Sequence, residues 1–306
     1  MIVLRFGIHI ALVLGLLAGT AQHALARCED LAKGYGDVIP KRSDTRIDVG
    51  QDYDTILERG YLTFAVYEDF APFSWEEAGK PKGIDIEIAH IIAEDIGVEA
   101  RFNFVAADEN VDADLRNQIW KGPLIGGQVS NIMMHVPYSK DLQCRNELVV
   151  LNGQYFNETL ATAYRVDVFP DDPPTTPYYR FHKVGVENHT ISDFYLSNFN
   201  GGMLLSNIRH YPDHKDAFAA MGTGEVDAVM GVKSILEYLD QSDEVDVATP
   251  PLVNFALDTW TLGIAVRHNF RELSYAADYA IADALADGRI AAIFAKYGVS
   301  HAAPDY

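Results

Sequence analysis

The stretch that most constrains this chain is residues 60–97, GYLTFAVYEDFAPFSWEEAGKPKGIDIEIAHIIAEDIG. Leu62, Phe64 and Val66 alternate with Tyr61, Thr63 and Ala65, the period-2 pattern of a strand with one face in a core. Ile84, Ile88, Ile91 and Ile92 then recur at helical spacing beside Ala89 and Ala93, and Gly97 supplies a C-cap. The loop between them crowds Phe70, Phe73 and Trp75 among acidic residues, with Pro72 fixing φ and Gly79 and Gly83 permitting turns. A strand, an aromatic loop and a helix in this order make one unit of an α/β fold.

At 306 residues and 48% hydrophobic content the chain exceeds one typical domain and can bury sizeable cores, so two lobes are expected. Asp and Glu outnumber Lys and Arg by 44 to 24, a net charge of −20 that argues against nucleic acid or an anionic lipid surface as partner. Residues 1–26 carry Arg5, an apolar run from Phe6 to Ala18, then Ala24-Leu25-Ala26, the pattern of a cleavable secretory signal peptide. Arg27 is the expected first residue of an exported chain. No later stretch approaches the ~20 apolar residues of a membrane span. Residues 27–56 are polar without clear periodicity and read as an N-terminal extension. Cys28 and Cys144 are the only cysteines and the only candidates for a disulfide; spacing leaves open whether they pair or stay free.

Further along, ARFNFV (100–105) alternates as a second strand, and TLATAY (159–164) reads as a strand followed by a Pro-rich connection. VGVENHTISDFYLSNF (184–199) reads as strand, turn and helix, AFAAMGTGEVDAVMGVKSILEYLD (217–240) as helix, strand and helix. TWTLGIAVRHNFRELSYAADYAIADALADGRIAAIFAKYGV (259–299) gives a strand and two helical faces broken at Gly288. Together with 60–97 these segments resemble family 3 of the periplasmic solute-binding proteins over roughly 57–299. The resemblance implies a type II periplasmic binding fold, with two lobes, each a mostly parallel sheet flanked by helices, joined by two hinge crossings near 160–166 and 252–260. Lobe 1 would span 57–163 and 258–306, lobe 2 164–257. It also implies a periplasmic location, a monomer, and a small-molecule ligand in the cleft. Nearest the ligand it would place Tyr67, Phe70, Phe73 and Trp75 on the first loop, then His135, Arg145, Thr190 and Val232.

Amino-acid binders of that family clamp the ligand's carboxylate with an Arg preceded by a Thr. Here Arg145 matches the Arg, since a guanidinium fork suits a carboxylate, but Leu142 replaces the Thr and Gln154 the Pro before Tyr155. Where those proteins place an Asp for the ligand's ammonium, this chain has Met230-Gly231-Val232. His135, Tyr138 and Lys140 are expected on a short inserted piece. Thr190 reads as a hydroxyl donor at a helix start, or equally as a plain N-cap. The ligand is therefore not expected to be a standard α-amino acid.

Asp108, Asn110, Asp112 and Asp114 stand at alternate positions of a calcium-loop spacing, but Ala113 occupies the glycine position and Ile119 that of the closing Glu, so no metal is expected. His210 and His214 are four apart with Pro212 between them, which disfavours a zinc-binding helix. No nucleophile motif, phosphate loop or cofactor fingerprint occurs, and no cofactor is expected. Three functions fit: a receptor feeding an inner-membrane ABC permease, an accessory binding protein of a periplasmic quinoprotein (methanol) dehydrogenase, or a dehydratase-like enzyme on the same fold. The third needs an acid or base in the cleft, for which Glu68 or Asp69 would serve. A non-catalytic role is expected.

Overall fold

The computed structural model describes residues 50–123, 128–240 and 242–304. The signal peptide, Cys28 and most of the extension lie outside the described residues. The chain begins with α1 (Tyr53–Arg59), β1 (Tyr61–Tyr67), a hairpin of β2 (Trp75–Glu77) and β3 (Lys80–Lys82), and α2 (Ile84–Ile96). It continues through β4 (Glu99–Val105), α3 (Val111–Leu115) with a π-helical turn, β5 (Ile132–Tyr138), α4 (Lys140–Arg145) and β6 (Val149–Arg165). Next come β7 (Val184–Glu187), α5 (Ile191–Asn198), β8 (Ile208–Tyr211), α6 (His214–Gly222), β9 (Ala228–Val232), α7 (Lys233–Leu239) and β10 (Val245–Ala248). The described chain closes with β11 (Thr259–Arg267), α8 (Arg271–Ala286) and α9 (Arg289–Lys296).

α1 takes up residues 53–56, the end of the stretch expected as an N-terminal extension; residues 27–49 lie outside the described residues. Asp52 caps this helix by accepting from the Thr55 N–H at 2.8 Å, Gly60 ends it at φ 75°, and Ile56 is fully buried in the first core. The opening unit folds as its pattern dictates: α2 buries Ile84, Ile88, Ala89, Ile92 and Ala93 against the sheet, and Gly97 terminates it in the left-handed conformation. Gly83 stands where α2 starts, at φ 133°, and a Cβ there would lie 2.1 Å from the Phe73 carbonyl oxygen, so only glycine fits.

The strands order as β4-β1-β5-β11-β6-β9-β7-β8, with β10 also on β6. β1 runs parallel to β4 and β5, and β7 parallel to β8 and β9, as strands separated by helices must. β11 and β6 run antiparallel to their neighbours. β6 belongs to both halves: up to Thr159 it pairs with β11, and from Leu160 to Tyr164 with β9. Its length explains why TLATAY alone looked like a separate strand.

The two largest of the buried clusters follow this division. Leu62, Phe64, Ile88, Ile92, Phe156, Ile281 and Phe294 pack in one; Leu160, Tyr179, Val184, Leu196 and Met230 in the other, with Trp260 touching both. Each such side chain contributes about 1.5–3 kcal/mol by leaving water. This is the mixed α/β, two-lobe architecture with mostly parallel sheets that the sequence leads one to expect.

In the second lobe Gly231 of β9 lies beneath the imidazole of His214, which is buried and pairs through Nδ1 with Glu187; a Cβ at Gly231 would collide with the ring. Gly231→Ala is therefore expected to cost about 1–3 kcal/mol of unfolding free energy in urea titrations. In a His214→Ala background the same change should cost far less; equal costs in the two backgrounds would refute the steric account.

Candidate functional site

In open α/β sheets the crevice beyond the carboxyl ends of parallel strands is where small molecules bind. β1 ends at Tyr67, and its register with β5 sets Ala65 opposite Met133, so His135 lies level with that end. There β5 departs from regular pairing with β11: Val136 faces Gly263 and Met133 faces Ala265, leaving Met134 and His135 to share Ile264. His135 takes the left-handed conformation, φ 60°. A left-handed position in a strand ordinarily carries glycine, which adopts it without strain. Holding a histidine there costs on the order of 1–2 kcal/mol, so its surroundings must hold it in place.

They do so through one carboxylate. Asp85, in the first turn of α2 and fully buried, has Oδ2 3.1 Å from His135 Nδ1 and accepts the Tyr155 hydroxyl at Oδ1, 2.7 Å away. The Tyr155 oxygen in turn accepts the His135 backbone N–H at 3.1 Å, closing a ring of hydrogen bonds. Burial, then the Asp85 charge, raise the Tyr155 pKa, so the phenol stays a donor. Phe70 and Phe73 meet the imidazole edge-on, with centroids 4.9 and 4.2 Å away. Tyr155 reaches Asp85 because β6 is kinked: Phe156 faces Leu262 and Asn152 faces Ile264, so three residues of β6 lie opposite Gly263. Gly153 sits at φ 53° in that kink, and a Cβ on Gly263 would be 2.6 Å from the Asn152 carbonyl oxygen.

Glu158 lies three residues on, where β6 crosses between lobes, and is 2% exposed. It accepts from the Thr159 N–H at 3.0 Å, the Ser234 N–H at 3.3 Å and the Ser234 hydroxyl. Burial raises its pKa, against the hydrogen bonds from Ser234 and Thr159, which lower it. Asp85, Tyr155, Glu158 and Ser234 escaped the sequence reading. Two of them left a signal: Asp85 shares a helix face with Ile88, Ala89 and Ile92, and Glu158 shares strand parity with Phe156 and Leu160.

The expected ligand contacts divide. Phe70 and His135 stand together and half-buried at the strand ends, and His135 belongs to β5 rather than to an inserted piece. Phe73 is fully buried and is core. Tyr67 donates its hydroxyl to buried Asp114 at 2.9 Å, and burial raises its pKa. Trp75 packs against Tyr297 and, across to α7, against Tyr238, with centroids 5.8 and 6.1 Å apart. Arg145 is held by Asp112 and Asp141, so its guanidinium is engaged within the first lobe. The Thr190 hydroxyl caps α5 and donates to the Glu187 carbonyl at 2.8 Å, the N-cap alternative. Val232 packs into the second core.

The four acidic-loop residues serve separate tasks. Asn110 caps α3, Asp114 takes the Tyr67 hydroxyl and the Asp108 N–H, Asp108 takes the Asn117 amide, and Asp112 holds Arg145 and Asn146. His210 pairs with Asp193 and His214 with Glu187, so the two rings have different partners. Among the described residues no cluster of three His, Cys, Asp or Glu could hold a metal. Cys144 is disulfide-bonded; Cys28 lies outside the described residues. Glu68 and Asp69 are exposed, whereas Asp85 and His135 are the acid and base that pack together.

Residues 62–119 match the model of the bacterial extracellular solute-binding proteins, family 3. No curated protein sequence matches the chain. Among solved structures, an ancestral cationic amino acid solute-binding protein is similar at 22% identity and TM-score 0.66, over 80% of this chain and 99% of that one. An amino acid ABC transporter substrate-binding protein from Streptococcus pneumoniae bound to L-arginine is similar at 18% identity and TM-score 0.57, over 82% and 100% of the two chains. The second substrate-binding domain of Lactococcus lactis GlnP in its open conformation follows at 21% and 0.57, over 79% and 97%. At these identities the likeness is one of fold, that of the two-lobe periplasmic binding proteins. No helix among the described residues is long and apolar enough to cross a membrane.

Two outcomes follow from the hydrogen-bond ring and the crossing strand. Tyr155→Phe removes the Asp85 donor and leaves the His135 N–H unmatched, and should cost about 1–3 kcal/mol in urea titrations; a loss below about 0.5 kcal/mol would mean the ring does not support the fold. Glu158, with its folded pKa raised, contributes stability that is fully present below its unfolded value near 4.5 and lost as pH rises through the folded value. Glu158→Gln should flatten the fall of stability between about pH 5 and 7, the range just above ordinary carboxylate values; an unchanged slope would exclude Glu158 as its source.

Proposed function

We propose that this chain, with its family 3 segment and two-lobe fold, is an exported receptor that captures a small solute between its lobes and releases it by hinge motion. Residues 1–26 would direct export to the periplasm, and the lobes would divide where β6 changes partner, at Thr159–Leu160, with the return at β11. Two antiparallel strands crossing side by side suit a hinge. α7 touches the first lobe through Trp75 and through Ser300, whose N–H donates to Glu237 at 2.8 Å and whose hydroxyl oxygen lies 2.7 Å from the Lys233 ammonium. Those contacts are short and exposed, suited to breaking and reforming.

The observation that carries the ligand reading is the engagement of Arg145 by Asp112 and Asp141. With that fork occupied and Val232 in place of a carboxylate, neither of the two counter-charges that the family's amino-acid binders use stands free at its expected position among the described residues. The solute is thus read as something other than a standard α-amino acid, although similar structures include arginine-bound proteins. Delivery to an ABC permease is the role we favour. Service to a periplasmic quinoprotein dehydrogenase is the second reading, favoured by the same loss of amino-acid clamps.

A thermal-shift screen of the mature protein against amino acids, organic acids, aromatic alcohols and quinones tests this. A ligand at one hundred times its Kd adds about 2.7 kcal/mol. A shift with one of the non-amino-acid classes, with compaction in solution scattering, is the expected result. A shift with arginine or another α-amino acid that disappears in Arg145→Met would overturn the ligand reading.

A further inference from the structure

His135 combines three properties that a packing residue does not need. Its backbone is left-handed at a bulge where glycine would be unstrained. Its Nδ1 is fixed by a fully buried carboxylate that is itself fixed by a fully buried tyrosine. Its side chain is 13% exposed, and its Nε2 has no partner among the described residues while reaching solvent. A second nitrogen oriented by a carboxylate on the first is the device by which proteins present a histidine in one tautomer. With Nδ1–H directed at Asp85, the neutral ring offers at Nε2 a lone pair, a hydrogen-bond acceptor.

The surroundings narrow what would meet that lone pair. Phe70, half-buried, stands edge-on to the imidazole and supplies a flat apolar wall. Asp85 is engaged within the ring of hydrogen bonds and Glu158 by Thr159 and Ser234; Arg145 is paired with Asp112 and Asp141, and Glu68 and Asp69, beside Phe70 in sequence, are exposed to water. A charged ligand group would be desolvated there without a counter-charge.

We propose that His135 reads the ligand of this cleft, its Nε2 accepting a hydrogen bond from an O–H or N–H group on a flat, uncharged ring lying against Phe70. The class is that of aromatic alcohols and N–H heterocycles. This rests on the inter-lobe cleft being the binding site. Asp85 and Tyr155 act as positioning residues, setting the tautomer and the bulge.

Phenol and anisole make a matched pair of probes, since they share a ring and differ in whether the oxygen carries a hydrogen. Binding to the full mature chain is measured by ligand-observed NMR, together with the ¹⁵N resonance of His135 Nε2. Phenol should bind about tenfold tighter than anisole, the worth of one well-placed hydrogen bond, and should move the Nε2 resonance where anisole does not. His135→Gly keeps the bulge in the residue type it prefers, so it should fold, and in it the preference for phenol should vanish. Asp85→Asn should weaken phenol selectively, through loss of the fixed tautomer. Equal binding of both probes to the native chain, lost in Phe70→Ala, would overturn the role of His135 while keeping the cleft. Failure of both probes, or binding indifferent to Phe70→Ala, would overturn the cleft itself as the site for a flat ring.

Discussion

The structure at the carboxyl ends of β1 and β5 depends on one buried carboxylate. Asp85 sits in the first turn of a helix whose other inward residues are isoleucine and alanine, where an unpaired charge would cost several kcal/mol. It persists because three elements converge on it: α2 contributes the carboxylate, β6 the Tyr155 hydroxyl and β5 the His135 ring. The two strands are each distorted at the point of contact. The bulge in β5 and the kink at Gly153 in β6 lie on either side of β11, so the irregularities that place His135 and Tyr155 share a single strand as their reference. The carboxylate converts two local departures from sheet geometry into one defined arrangement.

That dependence explains which parts could be read from residues alone. Periodicity disclosed β1, α2, β7, β9 and the strand and helices after 259, because each buries one face and the alternation of apolar residues records it. The aromatic loop could be located, though not sorted: Phe70 and Phe73 are three apart in one loop, yet one lines the strand ends and the other is sealed in the core. What decides between them is the tight turn in which Ser74 N–H and Phe73 N–H both donate to the Phe70 carbonyl, a feature no side-chain pattern encodes. The bulge at His135 was equally hidden, since its usual signal is a glycine and here the residue is histidine.

Arg145 teaches a different lesson. Its type and approximate place matched a carboxylate clamp, and the missing Thr and Asp already argued against an amino acid. The structure supplies the physical reason: the acidic loop that superficially resembled a cation site provides Asp112 as the partner of Arg145. Two motifs read separately from sequence, one for a metal and one for a ligand, turn out to be the two ends of a single ion pair. Spacing along the chain could not show this, because the residues are 33 apart and meet only in the folded chain.

Charge closure of this kind decides what a cleft can hold. A zwitterion leaving water gives up hydration at both ends and must find a fixed opposite charge for each, or it does not bind. Here the cation is already matched by acids, the crossing carboxylate is buried in hydrogen bonds to the second lobe, and Val232 offers none. On the proposed reading, recognition would fall to shape and to hydrogen-bonding atoms that still face solvent, which a fixed imidazole beside a phenylalanine would supply. Glu158 accepts from Ser234 at the start of α7, so the strand that carries Tyr155 to Asp85 is also bonded to the helix that follows β9.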